Sequence, residues 1–191
     1  MSDDYGLYNF LKRLIRENSL LNFKDIKIWG AKSFPNKDEA EGLIWLFPKA
    51  KFVYIYRNGI DVVNSMTKFG WFSKQSFKVL CDFWASRIFR YKYLTDFERA
   101  ISVNFDVYVQ NTEETFRKIF KHLEIDYNKR SVNFSKSNLI HPLDQPNQKI
   151  SSREAFDKRK PPYENWTQKQ KKIFREICSG AIKEMGFEIP F

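Results

Sequence analysis

Arg57 stands directly after an apolar run, KFVYIY (Lys51–Tyr56), with Asp61 four residues on and Ser65 eight residues on. A guanidinium is a planar fork of donors that fits phosphate oxygens, and one charge-assisted hydrogen bond of this kind is worth about 1.5–3 kcal/mol. If a helix starts just after Arg57, Ser65 lies about two turns along and adds a hydroxyl from the same side. The same spacing permits a plainer arrangement, in which Arg57 pairs with Asp61 at i+4 and Ser65 faces solvent.

Elements must be in place for either arrangement to form. KFVYIY has the β-branched and aromatic content of a buried strand, so Arg57 would emerge at a strand's carboxyl end, where open α/β sheets bind ligands. Upstream, Leu7, Phe10, Leu11, Leu14 and Ile15 recur at helical spacing, IKIW (Ile26–Trp29) reads as a short strand, and Asn36, Asp38 and Glu39 open a helix containing Leu43, Ile44 and Phe47. Downstream, a second helix follows Arg57, and a long one runs from about Ser73 to Tyr93 with Phe77, Leu80, Trp84 and Ile88 as its stripe. AISVNF (Ala100–Phe105) gives a further strand. Asn111 and Glu114 open the next helix, and Thr167 and Gln170 form a capping box ahead of Ile173, Ile177 and Ile182, with Gly186 at the helix end. Alternating strands and helices predict an α/β fold with a parallel sheet flanked by helices. Ile140–Asn165 holds four prolines and no sustained period, and a loop of that length is functional or disordered as a rule.

The 191 residues, 42% hydrophobic and 17% aromatic, suffice for one domain with a core. No window has the length and apolarity of a membrane span, and the first residues lack a signal peptide's layout. Cys81 and Cys178 lie far apart without metal-ligand spacing, which points to core thiols in a reducing, cytoplasmic compartment. The formal charge of +10 implies affinity for anions and leaves open nucleic acid, an anionic surface or a phosphorylated small molecule. The run Lys169, Lys171, Lys172 reads as a solvated basic face. His122, on the polar side of its helix, and His141, beside Pro142, read as surface histidines.

The segment YIYRNGIDVVNS resembles the 3′-phosphate-binding motif of sulfotransferases that use 3′-phosphoadenosine-5′-phosphosulfate (PAPS), a strand followed by R-[ND]-x-x-D-V-x-x-S. It is carried here by Arg57, Asn58, Asp61, Val62 and Ser65. WGAKSFPN, upstream, is similar to the family's K-T-P or K-T-H element and puts Lys32 at the lysine that touches the transferred sulfonate. VNFDVYVQNTEETF is similar to the Y-E-D segment, with Phe105 at the tyrosine position, where an aromatic ring can stack on adenine. Arg159, Lys160 and Trp166 match the R-K-G…W segment that closes over the 3′-phosphate, with Pro161 replacing the glycine and removing one backbone donor. The resemblance runs from about Trp29 to Gly186. It implies a P-loop-type sulfotransferase fold as a single partial domain over 1–191, with a cofactor-covering loop at about 140–165.

The implied activity is in-line transfer of a sulfonate from PAPS to an acceptor hydroxyl or amine on a small molecule, glycan or peptide, leaving PAP and requiring no metal. Arg57, Ser65, Arg159 and Lys160 would hold the 3′-phosphate, Phe105 the adenine, and Lys32 would offset charge on the bridging oxygen. None of the seven glycines lies in a P-[KR]-S-G-T-T loop, the row of backbone donors that cradles the phosphosulfate. That loop and its strand are expected ahead of Met1, so the transfer function is expected to be incomplete in this chain alone. Phe34 replaces the histidine base found two residues after the lysine in cytosolic members, so any base must come from elsewhere, and the upstream acid used by K-T-P relatives is one this chain lacks or does not show. Two other readings stay open at this point: a non-enzymatic basic module binding nucleic acid or an anionic surface, though no RNA- or DNA-binding signature is present, and an inactive sulfotransferase remnant.

Overall fold

The computed structural model describes residues 30, 32, 37–94, 97–132 and 160–191. The expected first helix (Leu7–Ile15), the strand Ile26–Trp29, His141 and Arg159 lie outside the described residues. The chain divides into two compact units, Met1–Ala50 and Lys51–Phe191. The described helix of the first unit, α1 (Lys37–Leu46), carries Asp38 and Glu39 in its first turn, where negative charge suits the helix dipole.

The second unit is built on two strands, β1 (Phe52–Tyr56) and β2 (Ala100–Asn104), paired in parallel from Phe52 opposite Ala100 to Tyr56 opposite Asn104. Parallel pairing demands a long crossover, and α2 (Gly59–Met66), a 3₁₀ turn (Gly70–Lys74) and α3 (Phe77–Tyr91) supply it. After β2 come α4 (Phe105–Gln110) and α5 (Thr112–Leu123), and α6 (Gln168–Glu184) follows a 3₁₀ turn at Pro162–Asn165. The result is the expected α/β arrangement, a small parallel sheet flanked by helices.

The core lies where α2, α3 and α6 meet. Leu80, Trp84 and Ile88 of the anticipated stripe are buried on α3 beside Ile60 and Val63 of α2 and Phe174, Cys178 and Ala181 of α6. Cys81 and Cys178 are both core thiols, and Cys178 Sγ donates to the Cys81 carbonyl at 3.7 Å. Tyr54 and Tyr56 of β1 share one face, where Tyr54 meets Tyr91 of α3 at 6.0 Å; Ile55, between them, is 60% exposed.

Four boundaries differ from the sequence reading or sharpen it. The long helix begins at Phe77 and not near Ser73, because Ser76 takes the N-cap and accepts from the Val79 N–H. Phe105 does not end a strand; Asn104 caps there, accepting from the N–H groups of Asp106 (2.8 Å) and Val107 (3.3 Å), and Phe105 is the first residue of α4. Asn111 opens α5 as expected but makes no side-chain cap bond, since its backbone still closes α4 onto Val107. The capping box of Thr167 and Gln170 forms in full.

Candidate functional site

Two neighbouring strands end level with one another, and each hands its chain to a helix through an asparagine. Asn58 accepts from the Ile60 N–H at 3.0 Å to start α2, and Asn104 performs the same service for α4. The pairing of Tyr56 with Asn104 therefore sets Arg57 and Phe105, the next residue of each strand, side by side at the carboxyl edge of the sheet.

Arg57 is held there from two directions. Its guanidinium carbon lies 4.7 Å from the centre of the Phe105 ring, a cation–π contact. Its Nε donates to Asp106 Oδ1 at 3.1 Å, and Asp61 Oδ2 is farther off, at 3.9 Å. The i+4 pairing foreseen from spacing thus exists but is the weaker of the two contacts. Because the hydrogen bond uses Nε, the Nη groups carry none to a described residue, and they are the fork that suits a phosphate. Both carboxylates lie beside the guanidinium and offset part of its charge.

Ser65 is exposed in the last turn of α2, on the helical stripe that carries the buried Asp61 one turn earlier. Lys160 is exposed and precedes Pro161. The 3₁₀ turn after it packs against α2, and Trp166 is buried against Phe77 (5.0 Å) and Phe174 (5.2 Å). Lys32 is exposed and belongs to the first unit. The structure thus brings Arg57 and Phe105 into contact. It gives Phe105 a role the sequence did not suggest, that of a platform for the arginine.

Asp106 is the partner of Arg57 that sequence reasoning missed. Its signal was an acid at the start of a helix, directly after Phe105, within the segment already singled out. His122 is half-buried, with Nε2 3.2 Å from the Arg99 carbonyl. Tyr54 is pushed up to about 12 by burial and by the neighbouring Tyr91 and Tyr56 hydroxyls, so it is a neutral group three residues before Arg57. The Cys178 thiol is pushed up by its hydrogen bond with Cys81 and by burial, which rules it out as a thiolate nucleophile at neutral pH. Among the described residues no group of His, Cys, Asp and Glu could hold a metal ion, and no helix is long and apolar enough to cross a membrane.

A family model for the sulfotransferase family matches residues 7–129, well over half of the chain. The chain belongs to the sulfotransferase family. The matched span contains Lys32, Arg57, Ser65, Phe105 and Asp106, whereas Arg159, Lys160 and Trp166 lie beyond it. No curated protein and no solved structure matched the chain.

Proposed function

We propose that this sulfotransferase binds PAPS through its 3′-phosphate at the carboxyl edge of the sheet and serves sulfonate transfer to an acceptor hydroxyl or amine. The observation that carries the reading is the posture of Arg57, pinned through Nε by Asp106 and stacked on Phe105. A donor fork fixed in advance loses little freedom on binding, which favours a ligand group of matching geometry.

PAPS supplies, when bound, a sulfonate activated on its 5′-phosphate. Arg57 offers Nη donors to the 3′-phosphate and Ser65 a hydroxyl, while Lys160, with Arg159, adds positive charge. Adenine stacking is assigned to the Phe105 ring. Lys32 is assigned to charge developing on the bridging oxygen. Family membership supports the class of reaction, and the arginine cluster supports the 3′-phosphate as the recognised group.

Calorimetric titration tests this with two probes that differ only in the group concerned, adenosine 3′,5′-bisphosphate and adenosine 5′-monophosphate. The bisphosphate is expected to bind at least about tenfold tighter, and Arg57→Ala to abolish the difference. Equal affinity for the two probes refutes the proposal.

A further inference from the structure

The chain after α6 is aimed by Gly186. At φ +70°, Gly186 donates to the Lys183 carbonyl (3.1 Å) while Phe187 donates to the Ile182 carbonyl (2.9 Å), a paired helix-ending motif that turns the chain back across the unit. The Phe187 ring then meets the Tyr56 ring edge-on at 6.0 Å. Tyr56 is the last residue of β1, immediately before Arg57. Ile189 packs on the core, and the Phe191 ring comes to rest 5.1 Å from Tyr163, 5.7 Å from Trp166 and 6.0 Å from Phe174. Arg175 donates to the Phe191 backbone oxygen. Five residues thus touch both the strand end that presents Arg57 and the turn that follows Lys160.

That turn packs against α2, with its Tyr163 packed on the core and lying 6.0 Å from Lys171 Nζ. Its backbone bonds are local, from the Glu164 N–H to the Pro161 carbonyl and from the Trp166 N–H to the Tyr163 carbonyl, both at 3.1 Å, and no side chain caps its start. Pro161 contributes no N–H of its own. Trp166 is fixed by core rings, but among the described residues Phe191 is the only ring beside Tyr163.

We propose that Phe187–Phe191 is a strap that positions the Lys160–Trp166 segment relative to the carboxyl end of β1, with Phe187 and Phe191 as positioning residues for the anion site. The strap rests on ring and backbone contacts; its effect on ligand affinity rests on the function proposed above. By this account, affinity for a 3′-phosphate depends on two phenylalanines outside the site, because they set where Lys160 stands. Aromatic contacts of this number are enough to shift a local opening equilibrium by about tenfold.

Hydrogen exchange on the full chain, read by mass spectrometry, separates the two parts. In Phe191→Ala, exchange over Tyr163–Trp166 is expected to rise about tenfold while amides around Leu80–Ala85 of α3 stay unchanged, and Phe191→Tyr is expected to restore protection. Arg175→Gln, at an exposed side chain, is expected to give a smaller rise in the same segment, and it decides the matter if Phe191→Ala does not fold. Unchanged exchange over Tyr163–Trp166 in the folded variants overturns the strap. Affinity for adenosine 3′,5′-bisphosphate is expected to fall at least about threefold in Phe191→Ala, with adenosine 5′-monophosphate unaffected. Deprotection without any loss of bisphosphate affinity, in a wild type that binds it, overturns the link between strap and site. A wild type that binds no bisphosphate, with deprotection still seen, leaves the strap standing and defeats the functional reading instead.

Discussion

Gly59→Ala places one methyl group where the structure has no room for it. A Cβ at Gly59 would stand 2.7–2.8 Å from three carbons of the Trp84 ring, about 1 Å inside ordinary contact. Trp84 is 5% exposed and stacked on Phe174, so the ring has no solvent side to retreat to. Either the core repacks or the first turn of α2 moves, and that turn begins one residue after Asn58 and two after Arg57. Overpacking of this kind costs about 1–3 kcal/mol, which for a unit of this size lowers Tm by roughly 2–12 °C. Gly180→Ala is the matched control. Its Cβ would meet only the tip of the Phe89 ring at 3.3 Å, and Phe89 is half exposed and free to swing aside. With that strain relieved, the helix gains up to about 1 kcal/mol from the lost glycine, so Tm is expected to hold or rise. Scanning fluorimetry of both variants, with bisphosphate titration of the first, checks the argument. A Gly59→Ala protein as stable as the parent and binding the probe equally well would show that α2 is not wedged against Trp84 as described.

Asp106→Ala is expected to weaken bisphosphate binding several-fold by freeing Arg57, whereas Asp106→Asn, which keeps an acceptor for Nε and removes a carboxylate, is expected to strengthen it; calorimetry reads the sign directly. Tyr54 stays neutral in the fold up to about pH 12 but ionises in the unfolded chain near its ordinary value of about 10. The folded state therefore binds more protons in that window, so urea midpoints should fall from about pH 10 to pH 12 and fall less in Tyr54→Phe. Cys81 and Cys178 are expected to resist a thiol reagent in the native protein and to react fully in denaturant; rapid native labelling would contradict their burial.

Much of the fold can be read from local wording. KFVYIY announces a strand through its β-branched and aromatic residues, the Thr167–Gln170 pair announces a helix start, and Gly186 announces a helix end; each depends on neighbours within a few residues. Arg57 stood out as a candidate anion ligand for the same reason. What sets its posture was not legible, because Asp106 lies 49 residues away and reaches it only once β1 and β2 pair with Tyr56 opposite Asn104. The role of Phe105 turned on a competition that sequence patterning does not resolve. A phenylalanine after AISVN continues a strand by propensity, but the Asn104 side chain offers two helix N–H groups an acceptor and the helix wins. The fit of Gly59 and the contacts of Phe187 and Phe191 are likewise tertiary, each defined by a ring that the sequence places far off, Trp84 in one case and Tyr56 and Tyr163 in the other.

The most direct measurement is a crystal structure of the chain with adenosine 3′,5′-bisphosphate. The 3′-phosphate is expected between Arg57 and Ser65, with at least one Nη of Arg57 in hydrogen-bond range, Nε still on Asp106, and Lys160 on the open side. A 3′-phosphate seated elsewhere, for instance in the open basic groove of about 480 Å³ lined by Gln168, Lys171, Lys172, Arg175 and Phe191, with Arg57 untouched, would contradict the account.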